Sequence, residues 1–358
     1  MATSSADRIL LFQLSDLHFG STFEGSFVAS SVYTGLNGHS LELAQALPVA
    51  LRGALRREFK VGDNDTVEYL VSGDLTRNGS TGDFQLVYTY LYSELQWLHD
   101  RYGTPASMGL KLPLDKVHQV PGNHDHWDGS WLWPQPTYNG NLFPDVMDPT
   151  LVAAADQAHR TFISPHGKLA FELFRVDSNE GLGVGRSFRA AGQLSPAQLY
   201  GEKDANGVVI KNGLEQQMDA AAAQGIIDGV PRVAGIACHH SLGNKYTNLS
   251  RAMPLEPYSV GNLLKLIRGY KKNFAVRAVL TGHTHYPLPW AMPNPKDPDR
   301  IWELRASSTL QMDPQPAAQG FWVHEITLDD AGQPKWDAWR YNWNGTSFVR
   351  ESTPCPIR

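Results

Sequence analysis

Short apolar runs recur along the chain, and each breaks into polar, glycine-rich sequence. Arg8–Leu14 leads into SDLHFG, Val67–Val71 into SGDLTRNG, and Lys116–Val120 into PGNHDH. Further on, Val233–Ala237 leads into CHHS and Ala275–Leu280 into TGHTH. Runs of this length bounded by Gly, Asn and Asp predict buried strands followed by loops. Between them, Phe84, Val87, Tyr88, Leu91, Leu95 and Leu98 recur at three- and four-residue spacing, which predicts a helix over about 83–99. Leu41–Phe59, Leu214–Gln224 and Ser259–Tyr270 are further helices, with Pro48 expected to kink the first or to begin a new one. Strands alternating with helices predict an α/β sandwich.

Two stretches break the pattern. Residues 126–165 are rich in Trp, Pro and Asn, and 179–213 contain seven glycines with little periodicity, so both read as surface excursions. A strand pattern returns at 171–178. Near the end, 302–306, 321–327 and 336–343 read as strands, and alternation of Trp339, Tyr341 and Trp343 predicts one aromatic face. No repeat or linker forces a division, so residues 1–358 are expected to form one domain, with strands from 321–350 packed on its core.

Composition narrows the class. Of 358 residues, 42% are hydrophobic and 19% charged, the balance of a globular chain with enough length for a sizeable core. Net charge is -5, and no Lys/Arg stripe offers a nucleic-acid surface. The apolar run Ile9–Leu14 is short and interrupted by Gln13. No stretch approaches the length of a membrane span, and no basic segment precedes a long apolar one, so a cytoplasmic protein is expected. Cys238 and Cys355, the only cysteines, are too few for a disulfide scaffold or a thiolate zinc cluster.

The polar clusters carry the chemistry. Asp16-Leu17-His18, Gly73-Asp74, Gly122-Asn123-His124-Asp125, Cys238-His239-His240 and Gly282-His283-Thr284-His285 each follow a predicted strand. Loops at the carboxyl ends of strands in α/β sheets converge, so five such ends can build one site from distant residues. Carboxylate oxygen with imidazole nitrogen suits manganese, iron or zinc better than calcium or magnesium. On an extended strand end, 16 and 18 project the same way, as do 283 and 285. Asp74 alone could bridge two cations about 3.5–4 Å apart. Glycines before Asp74, Asn123 and His283 permit close approach. Singly, each cluster has a plainer explanation: a capped turn, a turn asparagine, a core histidine. Together they take in six of thirteen histidines, all after apolar runs.

The ordered set D-x-H, G-D, G-N-H-D, a later His and G-H-x-H resembles the calcineurin-like metallophosphoesterases over about residues 8–310. The resemblance implies a four-layer α/β/β/α sandwich with two mixed sheets and two divalent or mixed-valence metal ions, manganese, iron or zinc. It implies that Asp16, His18 and His285 hold one metal and Asn123, His239 and His283 the other, with Asp74 shared. His124 would face the substrate and Asp125 would orient it. Ser241 after His240, and Arg77-Asn78 after G-D-L-T, depart from common family patterns without removing a ligand.

Such a centre implies hydrolysis of a phosphate ester by in-line attack of a metal-activated hydroxide. The expected substrate is a small molecule, and a diester, since a monoester's extra charge calls for more cations than Arg77 alone among the motif loops. A phosphomonoesterase or phosphoprotein phosphatase with the same centre, or a metal-binding scaffold without turnover, is the alternative. Arg77, His126, Trp127 and His240 are candidate substrate contacts, against readings as salt bridge, solvated residue, hydrophobic lid (with Trp131 and Trp133) and neighbour-orienting residue. The natural alcohol and the oligomeric state stay open.

Overall fold

The computed structural model describes residues 7–20, 39–77, 79, 81–93, 109–126, 159–179, 192–243, 254–272, 274–285, 288–292, 300–311 and 319–358. β1 (Arg8–Leu14) shows how the layers arise, because it is apolar on both faces. Leu10, Phe12 and Leu14 pack with Leu43, Leu47, Phe84 and Leu91 of α1 (Leu41–Gly53) and α2 (Thr81–Tyr92). Ile9 and Leu11 instead meet Phe171, Val233, Leu280 and Trp336. A third cluster joins Phe174, Ala234 and Ile236 to Met218, Leu263 and Ile267 of α5 (Leu214–Asp228) and α6 (Pro257–Gly269). Each fully buried Leu, Ile or Phe stabilises by roughly 1.5–3 kcal/mol. Helices, sheet, sheet and helices stack in that order, which is the four-layer sandwich expected.

Both sheets are mixed. In the first, β1, β2 (Asp65–Val71) and β3 (Val117–Gln119) run parallel, and β12 (Gly320–Leu328) pairs antiparallel with β1. β13 (Pro334–Trp343) follows, with β14 (Phe348–Arg350) and β15 (Cys355–Ile357) paired to it. In the second, β5 (Ala170–Arg175), β8 (Arg232–Ala237), β9 (Ala275–Thr281) and β11 (Ile301–Arg305) are parallel. β4 (His159–Ile163) and β10 (Leu288–Met292) close its edges antiparallel. Tyr341 is buried and Trp339 and Trp343 partly so against the helix-side core, as their alternation predicted.

Pro48 does not start a new helix; α1 runs through it and ends in a wider turn, Ala54–Glu58. Proline lacks the N–H that Ala44 would otherwise receive. The Tyr90 hydroxyl of α2 donates to that carbonyl at 2.8 Å and satisfies it. The helix placed at 83–99 is described as Thr81–Tyr92, and its predicted end lies outside the described residues. Within 126–165, read as an excursion, β4 is a strand whose ladder with β5 holds it to the sheet. Within 179–213 lie a capped helical turn, α4 (Pro196–Tyr200), and a hairpin of β6 (Glu202–Lys203) and β7 (Val209–Lys211). No helix among the described residues is long and apolar enough to cross a membrane.

Candidate metal centre

The five clusters occupy the carboxyl ends of β1, β2, β3, β8 and β9, and the two sheets bring those ends together. Within the first sheet the ladder continues past the strands. Asp16 and His18 donate backbone N–H to the carbonyls of Gly73 and Asp74, each at 3.0 Å, and Phe19 donates to Leu75 at 3.0 Å. In the second, Gly282 N–H donates to the His239 carbonyl at 2.9 Å. The halves are then joined directly, because His283 N–H donates to Asp16 Oδ2 at 3.2 Å.

The expected extended backbone at the paired motifs is not what brings their side chains together. Asp16, His18, Asp74, His283 and His285 all have φ between 49° and 68°, the left-handed region. Non-glycine residues pay roughly 1–2 kcal/mol each for this conformation. Five such residues at one site mark strain that the interlaced loops hold in place. Curled backbone, rather than alternation, points both members of D-x-H and H-x-H inward.

Three sets of side chains converge closely enough to hold a metal: Asp16, His18 and His285; Asp74, His239 and His283; and His18, Asp74 and His124. In the first, His285 Nε2 lies 3.1 Å and His18 Nε2 3.9 Å from Asp16 Oδ1, and the two imidazole nitrogens are 3.3 Å apart. In the second, His239 Nε2 lies 3.2 Å from Asp74 Oδ2 and 3.1 Å from Asn123 Oδ1. Asp74 joins the sets, since the same Oδ2 is 3.7 Å from His18 Nε2. Its other oxygen accepts from His124 N–H at 2.8 Å.

These residues fit a pair of cations. Asp16 and Asp74 are buried, and His283 Nε2 is buried without a hydrogen-bond partner. Uncompensated burial of such groups is costly, and a cation supplies the missing partner. Burial pushes His18 down to about 3, and burial with His240 and His239 nearby holds His283 well below its ordinary value. Both therefore offer neutral nitrogens. Burial opposes ionisation of Asp74, yet His239 and His124 hold it well below the usual carboxylate range. Burial likewise opposes protonation of His239, but Asp74 draws it up to about 9, so a cation entering there displaces a proton.

Glycines before the ligands serve close approach, but to other ligands. A Cβ on Gly73 would strike the His239 ring, one on Gly122 would strike Asp74, and one on Gly282 would strike Ser15 and Asp16. Gly73 also has φ of 100°.

Asp125 does not orient His124. Its carboxylate accepts from N–H of Gly122 at 2.9 Å, Leu75 at 3.2 Å and Thr76 at 2.8 Å, and from the Thr76 hydroxyl at 2.9 Å. It pins the loop after β2 to α3 (Asn123–His126), and burial together with the charge of Asp74 pushes it up to about 6. The His124 ring is held instead by the Arg77 carbonyl, 2.9 Å from Nδ1. Arg77 thus contributes backbone to the site, while the stem of its side chain passes Gly20. His240 is fully buried, with Nδ1 2.8 Å from Ser178 Oγ and its ring against His283 at 4.5 Å. His126 closes α3, and Trp127, Trp131 and Trp133 lie outside the described residues.

Several positioning residues escaped the motif reading. Ser15 Oγ donates to Asp16 Oδ2 at 2.5 Å, Ser308 Oγ donates to the Asp16 carbonyl at 2.9 Å, and the Ser72 carbonyl meets His239 Nδ1 at 2.9 Å. The last bond places the proton of neutral His239 on Nδ1 and frees Nε2 for a metal. Ser15 and Ser72 sit beside motif residues, but a serine beside a turn is too common to signal this role.

No curated protein matches the chain. The profile of the family described as calcineurin-like phosphoesterase matches residues 9–287, spanning all five clusters. With that match and the converging metal-ligand sets, the chain belongs to the calcineurin-like phosphoesterase family and is a metal-dependent hydrolase of phosphate esters with a dinuclear centre.

Proposed function

We propose that the protein hydrolyses a small-molecule phosphodiester, with Asp16, His18 and His285 at one metal, Asn123, His239 and His283 at the other, and Asp74 bridging. The position of Asp74 Oδ2 between His239 and His18, at 3.2 and 3.7 Å, carries this reading. Two divalent cations among manganese, iron and zinc would supply charge for the phosphoryl oxygens and acidify a water near neutrality. Displacement is in line, with no ester formed to the protein.

His124 is the proposed general acid. The Arg77 carbonyl can only accept, so Nδ1 carries a proton committed to that bond, and a proton passed to the leaving oxygen comes from Nε2. The diester preference is supported by charge. Among residues 15–20, 72–77, 121–126, 238–243 and 282–285, Arg77 is the sole Arg or Lys. A monoester dianion would call for more.

Parallel kcat/KM measurements on bis-aryl and mono-aryl phosphates in Mn(II) test the proposal. Diester turnover should dominate; a large monoester preference overturns the substrate assignment. In labelled water, solvent oxygen should end on phosphorus, and label in the alcohol contradicts the in-line step.

A further inference from the structure

Gln13 is polar where its strand demands an apolar residue. In β1, Ile9 and Leu11 face the core between the sheets, and Gln13 is next on that face. It is fully buried there. On β12, His324 interrupts the same core between Trp322 and Ile326, and it too is fully buried. An apolar pair would fill that space without the desolvation cost of an amide and an imidazole.

The hydrogen bonds of this pair allow one arrangement. The Trp336 indole can only donate, and it reaches His324 Nδ1 at 3.2 Å. His324 Nδ1 therefore accepts and Nε2 carries the proton, which it donates to Gln13 Oε1 at 2.9 Å. The Gln13 amide nitrogen is thereby turned to Thr281 and Ser72. It donates to the Thr281 carbonyl at 3.1 Å and to Ser72 Oγ at 3.3 Å, and Ser72 Oγ donates on to the Leu14 carbonyl at 3.2 Å. A donor-only group at one end and carbonyls at the other fix every orientation between them.

What the amide touches gives the network its meaning. Thr281 precedes Gly282-His283 in the second sheet, and Ser72 precedes Gly73-Asp74 in the first. Gln13 itself lies three residues before Asp16. The Ser72 carbonyl also holds His239 Nδ1. One carboxamide thus spans the sheets directly beneath the ligand loops of both halves.

We propose that Gln13 is a positioning residue that sets the separation of the two half-sites, with His324 locking the direction of its amide. The proposal rests on the dinuclear reading. Residues that hydrogen-bond metal ligands are typically worth 10–100-fold in metal affinity or activity, and Gln13 acts on the ligand loops through Ser72 and the Thr281 carbonyl. Gln13→Met keeps the length and removes all three bonds.

The test is Mn(II) binding to the metal-free chain, followed by calorimetry and by the electron-spin signature of a manganese pair. Gln13→Met should weaken at least one site by roughly 10–100-fold and replace the pair signature with that of isolated ions. Ile357→Ala, a core truncation on β15, controls for lost stability and should bind as wild type. Should Gln13→Met fail to fold, His324→Leu should weaken the pair, and His324→Gln, which can still accept from Trp336 and donate to Gln13, should restore it. Unchanged affinity and pair signature in Gln13→Met, an equal loss in Ile357→Ala, or no difference between the two His324 variants overturns the proposal. A wild-type chain that binds no pair would instead remove the dinuclear reading.

Discussion

The Arg77 carbonyl oxygen lies 2.9 Å from Nδ1 of His124, and in the proposed reaction this contact assigns proton delivery to Nε2. Nδ1 carries a proton in either charge state, so a proton can be delivered only from Nε2. His124→Ala should therefore cost roughly 10²–10⁴-fold on esters with poor alkyl leaving groups. A nitrophenolate leaves without a proton and should be far less affected. The check is kcat/KM across a leaving-group series, with metal content measured in the same preparations. Equal loss on every ester would reassign His124 to holding phosphoryl oxygens.

Asp74 and His285 should differ in their effect on metal. Asp74→Ala removes the proposed bridging carboxylate and should empty or weaken both sites and abolish turnover. His285 belongs to the set with Asp16 and His18, so His285→Ala should lower occupancy chiefly on one side. Elemental analysis of the two variants distinguishes these patterns. Equal, partial loss in both would contradict the bridging role.

A methyl group at Gly122 would meet Asp74 Oδ1 and its backbone nitrogen. Gly122→Ala should displace the bridging carboxylate, and misplacement of about 1 Å can cost about 10²-fold in rate. Gly62, whose added Cβ would meet nothing, is the control. Circular dichroism and turnover of the two Ala variants are the measurements. A fully active Gly122→Ala would show that Asp74 has room to move.

His324 should make the metal-free chain acid-sensitive. Burial pushes it down to about 3, and as a neutral ring it accepts from Trp336 and donates to Gln13. Unfolded, it titrates near 6.5 and binds a proton that the folded chain refuses. Its contribution is thus complete above about pH 6.5 and is lost as pH falls toward 3. Each unit in that window costs about 1.4 kcal/mol. Urea unfolding of chelated wild type and His324→Gln at pH 7 and 5.5 should show a loss in wild type larger by about 1.4 kcal/mol than in the variant. An equal loss in the two proteins would contradict it.

Residue type made the ligands legible. Singly each cluster reads as a turn, but five of them after apolar runs, with six of the thirteen histidines, point to one site, and the strands themselves followed from run length. The continuity of α1 past Pro48 was obscured because the carbonyl that the proline leaves unpaired is satisfied by Tyr90 of another helix. Left-handed φ at Asp16 and His283 was invisible because those residues, unlike glycine, do not advertise it. The contact of Arg77 with His124 was not legible, since it is made by a backbone oxygen that every residue possesses. Gln13 was visible as a polar interruption, but only the register of β1 with β12 brings His324 to it.

Two metals on one chain form the working centre. Metal-free protein should be titrated with Mn(II), with bound metal and diester turnover recorded at each addition. Turnover should be negligible without metal, rise steeply only as the second ion binds, and level off at two ions per chain. Full turnover at one ion per chain, or in the metal-free protein, would contradict the account.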